Sequence, residues 1–144
     1  MTRRKLTVLL LLSAALAVAV AVTRDQLRTN RWREHPDAAF TELTGRALPN
    51  GVHASAYDNA MDDNFFHTTH YWLLEGETAN LRQVLVGTGF GRSDEDAKWV
   101  APSAADALAT PISVDDVIEG YEWELPRNSW FLLLKGGQRA IYVQ

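Results

Sequence analysis

Hydrophobic and polar positions divide the chain into an N-terminal apolar run and a mixed remainder. Residues 6–22 read LTVLLLLSAALAVAVAV and carry no charge, and Arg3, Arg4 and Lys5 precede them. As a helix these 17 residues span about 25 Å, within the range of membrane-spanning segments. The run is apolar on every side, and a small domain has no core large enough to surround it. We therefore predict a membrane helix over 6–22, with residues 1–5 as a cationic head.

This run has two interpretations that differ in processing. Ala19-Val20-Ala21 has the small-x-small form of a signal-peptide cleavage site, and cleavage after Ala21 yields a secreted or periplasmic protein. A 17-residue run is longer than the usual signal-peptide core, which favours an uncleaved signal anchor. The preceding basic residues favour a cytoplasmic N-terminus, although arginines on the other flank weaken this bias. We expect a single-pass protein of the cell membrane whose C-terminal domain lies outside the cytoplasm.

The remainder consists of a polar stem and one small domain. Residues 23–46 are arginine-rich and predict a juxtamembrane stem, in which Pro36-Asp37 opens a short helix with Asp37 as its N-cap. Trp32 suits either the membrane interface or packing against the domain. Residues 47–144 are expected to form the exported domain.

The first half of this domain predicts two strands and a helix. Val52–Tyr57 alternates, and Phe65–Leu74 is rich in aromatic and β-branched residues, so the two predict an antiparallel pair. Asp58–Asp63 is expected to be the polar loop between them. Thr78–Val86 has helical spacing.

The second half ends in a predicted hairpin. Trp130–Leu134 and Ala140–Val143 flank a Gly-Gly pair that suits a type I′ or II′ turn. Ala97–Leu108 is weakly patterned and expected to break at Pro102, and Pro111–Gly120 is expected to be mainly loop. The predicted fold is therefore α+β, an antiparallel sheet of about four strands in the order β-β-α-β-β with helices on one face.

Charge and composition exclude several classes of function. Residues 47–144 carry six basic and 14 acidic side chains, a net charge of −8. Such a domain repels nucleic-acid phosphates, so we expect no nucleic-acid partner. The chain has no cysteine, which excludes disulfides, thiolate catalysis and cysteine-bound zinc.

Histidines and acids supply the only candidate metal ligands. The candidates are His53, His67, His70, Asp58, Asp62 and Asp63. A strand places His67 and His70 on opposite faces, so a shared site needs His53 from the neighbouring strand. The acids lack the spacing of a calcium loop and are typical of turns. Structural roles are favoured for all six, and no metal or cofactor is predicted.

No catalytic motif stands out, and an enzyme is less favoured than a binding module. Serines lack a nucleophile-elbow context, and no carboxylate pair is selected by spacing. Aromatics including Trp99 are expected to supply the core, while Tyr121, Trp123 and Trp130 are candidates for an exposed protein-binding surface. We expect a membrane-anchored binding or assembly module. The alternative is an exported enzyme or metal-dependent binding protein that uses His53, His67, His70 and the Asp58–Asn64 region.

Overall fold

The computed structural model describes residues 3–61, 67–124 and 128–144, with side chains from residue 7 onward. It divides into two compact units, Met1–Arg31 and Trp32–Gln144.

The first unit is helical and apolar. Its described residues lie within helix α1 (Arg3–Glu34), and the large hydrophobic side chains from Val8 to Val22 are 45–67% exposed. Thr7–Glu34 is long and apolar enough to cross a membrane, with a mean hydropathy of 2.1 over its most apolar stretch and none of that stretch buried in protein. A signal sequence meets the same criteria. The predicted long apolar helix is confirmed.

The second unit contains a mixed set of helices and strands. In chain order they are α2 (Pro36–Thr44), β1 (Val52–Met61), β2 (Thr68–Gly76), α3 (Thr78–Gln83), β3 (Gly91–Arg92), α4 (Asp94–Ala107), β4 (Val117–Trp123), β5 (Ser129–Leu134) and β6 (Arg139–Val143). The strands form one antiparallel sheet in the order β1-β2-β6-β5-β4-β3. The α+β class is confirmed, but the sheet has six strands rather than four.

The helices pack on both faces of the sheet, not on one as predicted. Phe40 of α2 and Leu81 of α3 share a core cluster with Trp72. The alanines of α4 form a second cluster with Leu132 and Ile141 on the other face. Strands β2, β5 and β6 contain continuous apolar runs because both of their faces are buried, and such runs differ from the alternation of a half-exposed strand.

Strand β4 lies where a loop was expected. Only a single 3₁₀ turn, Val114–Asp116, precedes it, and β4 then pairs with β5 through a register shift between Val117 and Glu119. The strand is hard to recognise in the sequence because a charged residue, Glu119, and a glycine, Gly120, occupy partly or fully buried positions. The carboxylate of Glu119 is stabilised there by Arg82, which explains how a charged residue occupies the strand.

Helix α4 continues through Pro102 instead of breaking there. A proline inside a helix removes the hydrogen bond to the carbonyl four residues earlier, that of Lys98. Both Lys98 and Pro102 are exposed to solvent, where losing one backbone hydrogen bond costs less than it does in the core. The alanine face of the helix stays intact on the opposite side, so packing outweighs the local cost.

Strand β1 extends beyond its predicted end. It pairs with β2 up to Met61, so Asp58 belongs to a strand rather than to a loop. Asp37 lies in the first turn of α2 and does not cap it; its Oδ1 accepts the Ala54 N–H at 2.5 Å and so covers part of the free edge of β1. Phe65 and Phe66, predicted to begin the second strand, lie outside the described residues.

The β5–β6 hairpin is confirmed, with a different turn. Gly136 (φ 86°) and Gly137 (φ 66°) both take the positive φ that glycine permits. The Gly137 N–H donates to the Leu134 carbonyl at 3.0 Å, which centres the turn on Lys135 and Gly136. The connection is therefore longer than the two-residue turn predicted.

Candidate functional site

The predicted histidine candidates lie apart from one another. His53 pairs with Glu75 across the β1–β2 ladder, with its Nε2 3.6 Å from a Glu75 carboxylate oxygen. His70 pairs with Asn59 near the other end of the same ladder, about 17 Å away along β2. His67 is exposed just before β2 begins.

His70 belongs to a structural aromatic cluster. Its Nδ1 lies 2.8 Å from the Tyr57 hydroxyl, and its ring is 6.1 Å from that of Trp32. Trp32 is 5% exposed, and its indole N–H donates to Glu42 at 2.9 Å. Trp32 therefore packs within the domain, which settles the choice between core and membrane interface.

The predicted acidic candidates do not assemble into a described site. Asp58 accepts hydrogen bonds from the Arg33 guanidinium, the shorter at 2.6 Å, and forms an ion pair on the surface. Asp62 and Asp63 lie outside the described residues. Across residues 3–61, 67–124 and 128–144, no group of three or more His, Cys, Asp or Glu side chains is placed to hold a metal ion.

A groove on the α4 face of the sheet is a better candidate. Its floor is one row of residues across four adjacent strands, because the register pairs Tyr71 with Val143, Val143 with Trp130, and Trp130 with Glu122. Directly opposed residues in an antiparallel sheet point to the same face. Four segments far apart in sequence thus place two aromatic rings and a carboxylate side by side.

Helix α4 forms the wall of this groove. Asp96, Trp99, Val100 and Ser103 recur at helical spacing and line it together. The helix packs on the sheet through a different face, that of its fully buried alanines Ala97, Ala101 and Ala104. The cavity between wall and floor has a volume of about 590 Å³. That volume is in the range of protein ligand sites.

The two tryptophans of the groove differ from the other three in their surroundings within the described part of the chain. Trp32, Trp72 and Trp123 each have an aromatic partner within 6 Å, such as Phe90 for Trp123 at 5.6 Å. Neither Trp99 nor Trp130 makes a ring contact or an indole hydrogen bond with any described residue. Trp99 is 83% exposed, a large apolar surface that a folded domain usually covers.

Two carboxylates of the groove, those of Glu122 and Asp96, have no basic partner among the described residues. Partial burial raises the pKa of Glu122, and the nearby charges of Glu124 and Asp96 raise it further. Asp96 accepts a hydrogen bond from the Ser93 hydroxyl at 2.9 Å. Among the described residues, no basic side chain forms an ion pair with Glu122 or Asp96.

Two other acids, Glu119 of β4 and Asp94 of α4, are compensated. Glu119 accepts hydrogen bonds from Arg82 and from the Tyr121 hydroxyl, the latter at 2.9 Å, and these bonds lower its pKa. The Asp94 carboxylate accepts the Gly120 N–H at 2.8 Å and pairs with Arg92 at 2.5 Å, which lowers its pKa. This network joins α3, β3, β4 and α4, and its charges serve the fold.

The exposure of Trp99 corrects the expectation that it belongs to the core. A signal for it exists in the sequence. The alanines at 97, 101 and 104 mark a close-packed helix face, and Trp99 falls about 160–200° away from Ala97 and Ala101 at 100° per residue. Of the three aromatics predicted to be exposed, Tyr121, Trp123 and Trp130 are all half-buried, and only Trp130 lines this groove.

Comparison of the chain with models of protein families, with curated protein sequences and with solved structures finds no match. The geometry and chemistry of the groove therefore carry the functional conclusion.

Proposed function

We propose that the chain is a single-pass membrane protein whose C-terminal unit docks a segment of a partner protein in the groove between Trp99 and Trp130. The observation that carries this proposal is the 83% exposure of Trp99 beside an open aromatic cavity of about 590 Å³. Tryptophan is enriched at the centres of protein interfaces, where its ring supplies a large contact area.

A partner of a different kind is favoured over a second copy of the chain. Symmetric pairing of this face would bring Asp96 and Glu122 towards the same acids of the other copy, and residues 47–144 already carry a net charge of −8. Like charges brought together across an interface oppose association. The partner's segment is instead expected to complement the acidic groove.

Site-specific photocross-linking tests the docking surface. A photoreactive phenylalanine analogue replaces Trp99 in the full chain, and the matched control carries it at Val86, which is 62% exposed and lies outside the groove. Irradiation in membranes should give a discrete adduct at position 99 and none at 86. The captured protein, once purified, should bind the wild type directly and the Trp99→Ala variant at least about tenfold more weakly.

Two results would contradict this function. One is adduct formation at position 99 that does not exceed the background at 86. The other is equal binding of the purified partner to wild type and Trp99→Ala.

Membrane attachment through residues 6–22 and an extracytoplasmic C-terminal unit complete the proposal. The support is the length and apolar character of Thr7–Glu34 and the basic residues that precede the apolar run. Because the chain has no cysteine, an Ala79→Cys variant carries a unique thiol at an exposed position on α3. A membrane-impermeant maleimide should label intact cells; labelling only after permeabilisation would place the unit in the cytoplasm.

A further inference from the structure

We propose that the groove selects an arginine side chain of the docked segment, held between the tryptophan rings and paired with Glu122 and Asp96. This inference rests on the proposed function and adds to it the chemistry of the bound residue. It treats the groove as a specific cation site rather than as a general apolar surface.

The ring faces supply the first part of a cation site. A cation placed over a tryptophan face is attracted by the ring, more strongly than over tyrosine or phenylalanine. The Trp99 and Trp130 faces make no ring contact with the described aromatics. The other tryptophans, such as Trp72, each have a neighbouring aromatic ring within 6 Å.

The carboxylates supply the second part. Glu122 lies directly across the β4–β5 ladder from Trp130, so a group stacked on that ring lies within reach of the carboxylate. Asp96 lines the same cavity from α4. Burial raises the pKa of Glu122, and the negative charges of Glu124 and Asp96 raise it further, so the two acids of the groove repel each other. A cation between them removes this repulsion.

The planar shape of the ligand decides between cations. Arginine stacks on aromatic faces and presents a fork of donors that matches carboxylates, whereas lysine is a compact and strongly hydrated point charge. Anionic ligands such as phosphate are disfavoured by the same acids. An arginine within an extended segment therefore uses the aromatic and the acidic parts of the groove together.

The experiment titrates the full chain, in discs of zwitterionic lipid, with a blocked glycine-rich pentapeptide that has a central arginine. The readout is the set of indole N–H signals in the NMR spectrum, since the chain contains five tryptophans. The matched peptide carries citrulline, which keeps the shape of arginine and lacks its charge. We expect saturable shifts of the Trp99 and Trp130 signals and at least about tenfold weaker binding of the citrulline peptide.

Variants that remove one negative charge test whether the carboxylate of Glu122 contributes to binding of the arginine peptide. Glu122→Gln should weaken binding of the arginine peptide by about fivefold and leave the citrulline peptide unaffected. Glu77→Gln removes the same charge just beyond the far end of β2, outside the groove, and should change the binding of neither peptide. A higher salt concentration should weaken the binding of the arginine peptide and leave the binding of the citrulline peptide unchanged.

Three results would overturn the inference. They are equal affinity for the arginine and citrulline peptides, shifts confined to tryptophans outside the groove, and no saturable binding up to about 10 mM peptide. Any of these leaves the cross-linking test of docking intact, because that test uses no cationic probe. Conversely, the absence of an adduct at position 99 contradicts docking whatever the peptides do.

Discussion

Gly120 gives the sharpest test of how α4, the wall of the groove, is seated on the sheet. A Cβ added at this position of β4 would lie 2.2 Å from the Ala97 Cβ and 2.9 Å from the Ser93 carbonyl oxygen. Non-bonded carbons prefer about 3.5–4.0 Å, so Gly120→Ala forces the helix outward by more than 1 Å. That shift also stretches the 2.8 Å hydrogen bond from the Gly120 N–H to Asp94.

The expected magnitude follows from these contacts. Overpacking costs about 1–3 kcal/mol, and weakening a hydrogen bond to a charged acceptor costs about 1–2 kcal/mol. Replacing glycine also stiffens the unfolded chain, which offsets up to about 1 kcal/mol of the loss in the free energy of unfolding. We therefore expect Gly120→Ala to lower the free energy of unfolding by about 2–4 kcal/mol.

Urea denaturation of the full chain in detergent micelles, followed by tryptophan fluorescence, measures this change. Gly91→Ala is the matched control: nothing lies within 4 Å of its added Cβ, and its φ is not positive. Its effect should stay within about 0.5 kcal/mol. Adding Ala97→Gly to Gly120→Ala should restore part of the stability by removing the colliding methyl group. A Gly120→Ala protein no less stable than the Gly91→Ala control would refute the packing described for α4.

Three further predictions concern exposure and pH. Trp99→Ala should change the free energy of unfolding by no more than about 0.5 kcal/mol, because the side chain is 83% exposed; a large loss in thermal melts would make Trp99 a structural residue. The hydrogen bonds from Arg82 lower the pKa of Glu119, so this group stabilises the fold above its unfolded pKa of about 4.3, and the contribution is lost as pH falls below that value. Glu119→Gln should flatten the acid side of a stability–pH profile, whereas the control Glu77→Gln should keep the Glu119 contribution; equal slopes in the two variants would contradict the network. Burial raises the pKa of Tyr142, so the free energy of unfolding should fall as pH rises above about 10. Tyr142→Phe should remove this loss. The same fall in stability at alkaline pH in the variant would show that another group causes it.

Local patterns account for the elements that could be predicted. The apolar run of α1 and the glycine pair between β5 and β6 each specify their structure within a few residues of sequence. Strand β4 was missed because its partly buried Glu119 and its buried Gly120 depend on partners from α3 and α4. Those contacts are tertiary, so a local sequence pattern does not predict them.

The layering of the domain was mispredicted for a related reason. A continuous apolar run such as Trp130–Leu134 is consistent with a strand covered on both faces, but it does not show which helix covers which face. Only the structure places α4 opposite α2 and α3.

The groove depends on the register of the sheet, which the spacing of residues in the sequence does not specify. Tyr71, Trp130 and Glu122 come from β2, β5 and β4 and meet only because Val143 of β6 stands between two of them. A shift of one residue in any ladder would turn one of these side chains to the opposite face. The exposure of Trp99 is the exception, since the alanine stripe of α4 already indicates which side of the helix is buried.

The affinity of the purified, cross-linked partner for the full chain in lipid discs tests the central claim most directly. Docking in the groove predicts one partner per chain and binding at least about tenfold weaker for Trp99→Ala, with Val86→Ala equal to wild type. Equal affinity of all three proteins would contradict the claim that the Trp99–Trp130 groove is the docking surface.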